Sequence, residues 1–272
     1  HCIGCSDWPG GFRISPALCN PYPEDVPPPP PSPASSSLIL AIETSNPTAT
    51  PGESASVMLA RAGAAGTDIT PLAMVRVGAG EPRGLLPSID RCFREASLTP
   101  DALREPGARI AVSIGPGGYT SVRIAVTAAK LLSEATGAFC VPVPTARVVA
   151  ARVTSQTPFA VGLASKRESA WFALFAADGA PRCTLGIADE AVVARLSEEG
   201  VGLLVIDGHA PKRIVELARQ ASIRVQPPVF DPGACALLGA TLEPIDPLAL
   251  EPIYPREPEA VTKWRALKAS KP

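Results

Sequence analysis

ARIAVSIGPGGYTSVRIAVTAAKLLSEATGAFCVPV, residues 108–143, is the stretch from which the fold is read. ARIAVSI (108–114) is a largely apolar run of strand length, and such a run reads as a strand buried on both faces. It feeds straight into a glycine-rich turn, GPGGYT (115–120), and a helix is expected over Ser121–Ala135. FCVPV (139–143) then reads as another strand, and PTARVVAARV opens a further helix with Pro144 at its start, where a proline costs no hydrogen bond.

Working toward the N-terminus, LILAIET (38–44), SASVMLA (54–60) and PLAMVRV (71–77) read as three strands. NPTATPG (46–52) is turn chemistry throughout, so the first two strands form a hairpin with a long loop. GLLPSIDRCFREASL (84–98) places Leu85, Ile89, Cys92, Phe93 and Ala96 at helical spacing. Three strands, helix, strand, helix, strand, helix is the order of an α/β domain of the actin/hexokinase/Hsp70 type, a mixed sheet with packed helices. Toward the C-terminus the order recurs in reduced form. PFAVGLAS and SAWFALFAA are followed by a weaker strand near Pro181–Ile187, a helix over Glu190–Glu198, the strand GLLVIDG (202–208) and the helix KRIVELARQ (212–220). The organisation expected is therefore a lobe over 38–155, a smaller lobe over 156–247 and an extended Pro-rich tail over 248–272.

Residues 1–37 have a different composition. Ten of the 32 prolines precede Ser37, among them the unbroken run Pro27–Pro31, which favours stiff polyproline II. Cys2, Cys5 and Cys19 with His1 include one Cys-x-x-Cys spacing but neither a second one nor a His pair, so a zinc loop is the weaker reading. The segment reads as a disordered tail or as upstream sequence from a misplaced start.

Composition narrows the function classes. With 46% hydrophobic and 19% charged residues, the bulk of the chain can bury a core. Twenty-five basic against 26 acidic residues give a net charge of −1, which sets aside a protein acting solely by electrostatic grip on nucleic acid or membrane. No apolar run approaches the roughly 20 residues of a membrane span. Cys92, Cys140, Cys183 and Cys235 are scattered singly in apolar surroundings, which fits buried reduced thiols and a cytoplasmic setting. His1 and His209 are the only histidines, so the folded part has no His-x-x-x-His pair for a metal and no Ser/His/Asp arrangement, and His209 reads as a loop residue. Neither metal nor cofactor is expected.

The glycine turn has two readings. Gly115, Gly117, Gly118 and Thr120 precede a helix N-terminus, and successive exposed amides there can hold an anion. The plainer reading, a strand-to-helix turn that needs positive φ, is favoured on physics alone. Glu43 likewise is either a carboxylate near a metal–phosphate site or a strand-end carboxylate satisfied by turn amides. The helix that follows the turn says more. Arg123, Thr127, Lys130 and Glu134 fall within about 60° of arc, while Ile124, Ala125, Val126, Ala128, Ala129, Leu131, Leu132 and Ala135 spread over the remainder. Packing on one sheet needs an apolar stripe of only about 100°. The excess calls for a second contact, with a partner or with the chain's own second lobe, and a partner is favoured.

ILAIETS, GLLPSID, IAVSIGPGGYTSVRIAVTAAKLL and the late PIYPREPEA with Trp264 together resemble the TsaB (YeaZ) family, most strongly over 109–132, where GPGGYTSVRIA stands for the family's GPGSFTGLRIG-like signature. SKRESAWFALF (165–175) looks like the family's D-A-R-x-x-E-V-Y strand pair. The resemblance implies an actin-like (ASKHA, ribonuclease H-like) fold of two unequal lobes, and a non-catalytic scaffold in synthesis of threonylcarbamoyladenosine on tRNA. It implies a TsaD-like catalytic partner, a TsaE-like ATPase and tRNA met only through the complex; self-pairing as a homodimer through the same apolar face, when the catalytic partner is absent, is a separate reading. The contact it implies uses both N-terminal-lobe helices: Leu85, Leu86, Ile89 and Phe93 on the first, Ile124, Ala125, Ala128 and Leu131 on the second. Glu81–Gly84 and the residues Ser121 and Ala125 depart from the family pattern, adding side chains near that contact. The competing reading is an ATP-dependent phosphotransferase or metallopeptidase-like enzyme of the same fold.

Overall fold

The computed structural model describes residues 37–46, 55–63, 66–78, 84–165, 169–255 and 264. The N-terminal cysteines, most of the first hairpin loop and the last residues of the chain lie outside them. The first sheet is built from β1 (Leu38–Glu43), β2 (Ser56–Ala62), β3 (Ile69–Arg76), β4 (Arg109–Ser113) and β5 (Phe139–Val143), in the order β3-β2-β1-β4-β5. β1 and β2 pair antiparallel, with Leu40 opposite Leu59, and β2 pairs antiparallel with β3. β1–β4 and β4–β5 are parallel. Apolar residues on both faces of β1 and β4 put these strands at the centre, where both faces must be covered.

The second sheet comprises β6 (Phe159–Ala164), β7 (Ala170–Phe175), β8 (Pro181–Ala188), β9 (Leu203–Ile206) and β10 (Arg224–Gln226), in the order β8-β7-β6-β9-β10. β6–β7 and β7–β8 are antiparallel, and β6–β9 and β9–β10 parallel. Strand for strand this repeats the first sheet. The two five-stranded mixed sheets and the six α-helices among the described residues make the α/β, actin-like expectation correct.

Among the described residues six α-helices cover the sheets: α1 (Leu85–Glu95), α2 (Tyr119–Thr136), α3 (Thr145–Ala150), α4 (Val192–Glu198), α5 (Lys212–Gln220) and α6 (Pro232–Thr241). α1 and α2 close the outer face of the first sheet with Phe93, Cys92, Val122 and Ala129, and α4 and α5 close the outer face of the second with Val192, Leu196, Ile214 and Ala218. The inner faces are covered by exchange. α3 follows β5, yet Ala146, Val149 and Ala150 pack beside Phe159, Val161 and Trp171 of the second sheet. α6 follows β10, yet Ala234, Cys235 and Ala236 pack on Ile39, Ala41 and Ala111 of the first. Residues 232–241 thus lie within the stretch read as the second lobe but complete the core of the first.

The sequence of α6, PGACALLGAT, explains that fit. Small side chains let it lie close on the sheet, and a Cβ at Gly239 would overlap Ala111. Asp231 caps its first turn by accepting from Gly233 N at 2.8 Å. Arg109 closes the other end by donating to the carbonyls of Gly239 and Leu242, at 3.1 and 2.9 Å. Beyond α6, the chain pairs Ile245 with Cys140 and hangs Ile253 N on the carbonyl of Ile114 at 2.8 Å, running along the first lobe as a Pro-rich strap.

Candidate partner interface

The glycine turn and the end of β1 fix where α2 begins. Gly115 sits at φ +100° and Gly117 lies so close to β1 that a Cβ would overlap the Ser45 carbonyl oxygen. That same oxygen accepts from Gly118 N at 2.6 Å, and the Gly115 carbonyl accepts from Thr145 N at 2.9 Å. The glycines are there because two backbones touch. The amide of Gly118 is spent on that contact, while Gly117, Gly118 and Thr120 remain exposed. The strand-to-helix turn is therefore the reading that the hydrogen bonds fit.

Glu43 is enclosed below the turn, 1% exposed. Its Oε1 accepts from both the amide and the hydroxyl of Ser45, and Oε2 has no hydrogen-bond partner. This is the strand-end carboxylate held by its own turn. Burial pushes its pKa above the ordinary 4.5, and the Asp231 charge adds to that; the hydroxyls of Ser45 and nearby Ser113 pull it down only in part. Asn46, just beyond the turn, donates through Nδ2 to Asp207 Oδ2 at the end of β9, tying the two lobes. His209 is an exposed loop residue whose amide donates to Asp207 Oδ1 at 2.9 Å.

The thiols are packing groups. Cys92, Cys140 and Cys235 are buried and free, and Cys183 is half-buried. Burial pushes the Cys92 and Cys140 thiols up to about 11, so they stay protonated and unreactive at neutral pH. Among the described residues no three His, Cys, Asp or Glu side chains gather as a metal site, and no helix is long and apolar enough to cross a membrane.

The eight residues expected at a partner contact divide sharply. Leu85, Ile89 and Phe93 on α1 and Ala125 and Ala128 on α2 face inward and belong to the first lobe's own core. Their apolar spacing registers contact with the sheet, not with a neighbour. Leu86, Ile124 and Leu131 point outward, at 59%, 50% and 64% exposure. Ile124 and Leu131 are two turns apart on one stripe of α2 that also carries Thr120, Thr127 and Ala135, all exposed. The wide apolar arc of α2 is thus shared: Val122, Val126 and Ala129 complete the core, and Ile124 and Leu131 stand in solvent.

Sequence reasoning missed the neighbours of that stripe. Tyr119, 57% exposed, lies tilted against Tyr254 of the strap with ring centres 5.4 Å apart, and the Arg123 guanidinium lies 5.0 Å from the Tyr119 ring centre. The spacing of Tyr119 and Arg123, four residues apart, was available in the sequence; the arrival of Tyr254 from 135 residues downstream was not.

Residues 83–180 match the family model for TsaD, tRNA N6-adenosine threonylcarbamoyltransferase. The fold matches a crystal structure of an uncharacterized protein with similarity to peptidase YEAZ from Pseudomonas aeruginosa, at 19% identity and a TM-score of 0.53, over 81% of this chain and 100% of that one. It also matches YeaZ from Pseudomonas aeruginosa at 16% identity and a TM-score of 0.50, over 80% and 99%. The chain is thus similar to TsaD in the sequence of one segment and to YeaZ in fold. No curated protein matches in sequence. The TsaD-family segment takes in α1, the glycine turn, α2 and the exchanged helix α3, and reaches into the second sheet as far as β7. The matched segment therefore contains the exposed residues Leu86, Ile124 and Leu131.

Proposed function

We propose that this chain is a non-catalytic subunit of an assembly that forms N6-threonylcarbamoyladenosine on tRNA, docking a TsaD-like catalytic subunit on the outward face of α1 and α2. The observation that carries the reading is the apolar stripe on α2: Ile124 and Leu131 stand exposed on a helix that has already filled its own core. Large apolar side chains grouped on one helix face mark an interaction surface, and this face lies inside the segment that matches the TsaD family. A TsaE-like ATPase and, through the complex, tRNA are the further partners. In the absence of a catalytic subunit the same face pairs two copies isologously. Glu43, the one residue offered by the phosphotransferase reading, is walled in and held by Ser45, which favours the scaffold.

Copurification with the TsaD-like protein of the same organism tests this. The wild-type chain is expected to co-elute with it at micromolar concentration. Ile124→Asp with Leu131→Asp is expected to weaken the complex by about 100-fold, as charges placed in an apolar contact do, while leaving the melting temperature of the isolated chain unchanged. Unaltered association in that double variant excludes the face.

A further inference from the structure

A cleft of 360 Å³ lies between α2 and the C-terminal strap, walled by Arg123, Thr127, Lys130, Leu250, Glu251 and Tyr254. Arg123 and Lys130 sit two turns apart on α2, on the edge adjoining the Ile124 stripe. Both are held in place within the chain without being neutralised. Arg123 Nη1 donates to the Tyr119 hydroxyl at 2.6 Å, and Lys130 Nζ donates to the Leu248 carbonyl at 3.1 Å. Neither forms an ion pair among the described residues. A guanidinium carries five N–H donors and an ammonium three, and each is seen to use one, so both retain donor capacity at the cleft they line. The strap that makes the opposite wall is fixed by Ile253 N on the Ile114 carbonyl at 2.8 Å and by the tilted ring contact of Tyr254 with Tyr119.

We propose that this cleft receives acidic side chains of the catalytic subunit, their carboxylates accepting from Arg123 and from Lys130 beside the Tyr254 side chain. The proposal rests on the docking reading above and adds a polar anchor beside the apolar stripe. Two cations on one helix edge ask for an anion. Glu251 lines the same cleft and the whole chain carries a net charge of −1, which disfavours a phosphate backbone that must be met by several cations at once. Single carboxylates meet the cations one at a time without approaching Glu251 along a whole strand. Arg and Tyr are also the side chains enriched at the energetic centres of protein interfaces, where order before binding lowers the entropy cost.

The experiment measures affinity of the full chain for the TsaD-like subunit at low and high sodium chloride. Arg123→Gln with Lys130→Gln is expected to weaken binding about tenfold at low salt and to flatten its salt dependence, since a lost charge pair takes its screening with it. Tyr254→Phe keeps the wall and is expected to bind as wild type, whereas Tyr254→Ala weakens binding severalfold. An unchanged affinity and salt slope in the Gln pair, while Ile124→Asp with Leu131→Asp still dissociates the complex, overturns the anchor and leaves the docking face standing. If the apolar variant is silent as well, the docking reading itself fails. Retained partner affinity with loss of tRNA from the assembled complex overturns the proposal in favour of a phosphate site.

Discussion

The two lobes share one strand order but present different surfaces to water. In each, a three-stranded meander is followed by helix, parallel strand, helix, parallel strand. α5 occupies in the second lobe the place of α2 in the first. It is nine residues long, buries Ile214 and Ala218, and shows Lys212, Arg213, Glu216 and Arg219 outside. α2 is 18 residues long and shows Tyr119, Ile124 and Leu131. Among the described residues neither α4 nor α5 exposes a large hydrophobic side chain. Fold alone therefore does not require the apolar surface of α2, because the same topological position is filled in the other lobe by a helix with an ordinary solvated face. What differs between the lobes is what covers them.

That comparison is broken or sharpened by substitutions at matched places. Phe93→Ala on α1 and Phe172→Ala on β7 remove fully buried rings from the two cores, and each is expected to cost about 3–5 kcal/mol in urea unfolding. A near-neutral Phe93→Ala would return that ring to the surface contact and undo the division between core and interface drawn on α1. Gly117→Ala forces a Cβ into the Ser45 carbonyl, while Gly208, after β9, has open space around it. The first is expected to destabilise by about 1–3 kcal/mol and Gly208→Ala by less than about 0.5 kcal/mol, read from thermal melts of both variants.

Glu43 supplies a pH-dependent difference at the lobe junction. Its folded pKa lies above 4.5, so below that value both folded and unfolded chains hold the proton. As pH rises from 4.5 toward the raised value, the unfolded chain sheds the proton and the folded one keeps it, and stability falls across that window. Glu43→Gln is expected to flatten this slope and to melt higher than wild type on the alkaline side; a slope that survives in the Gln variant assigns the effect to another group. The smallest effect is expected at the surface. Leu131→Ser in the isolated chain should change stability by no more than about 0.5 kcal/mol, and a larger loss would mean that Leu131 already has a partner within its own chain.

Much of this was legible because burial leaves a period. β1, β4 and β5 read as apolar runs, and FCVPV coincides with β5 to the residue. α2 was legible from its spacing, although it begins two residues earlier than expected, at Tyr119, because the turn closes on Ser45. α6 was not legible. Its side chains are small and apolar on every side, so no polar face marks a period, and only the Asp231–Pro232 start signalled a helix. β10, three residues long, is too short to show an alternation. On α1 and α2, five of the eight contact candidates lie in the first lobe's own core, and the reason is single: helical spacing identifies an apolar face but not which neighbour covers it. Leu85, Ile89 and Phe93 satisfy a core pattern and a docking pattern equally well.

The order of elements, the doubling of one lobe plan and the glycine turn were fixed by local chemistry, since strand runs, caps and turn residues act over a few positions. Which apolar side chains remain in water was settled only by folding. The sheets take their inner cover from each other's trailing helices, α3 and α6, and the strap brings Tyr254 onto Tyr119. Exposure is a property of the whole packed assembly: each sheet closes its inner face with a helix that follows the other in the chain, and no window of sequence contains both sides of that contact.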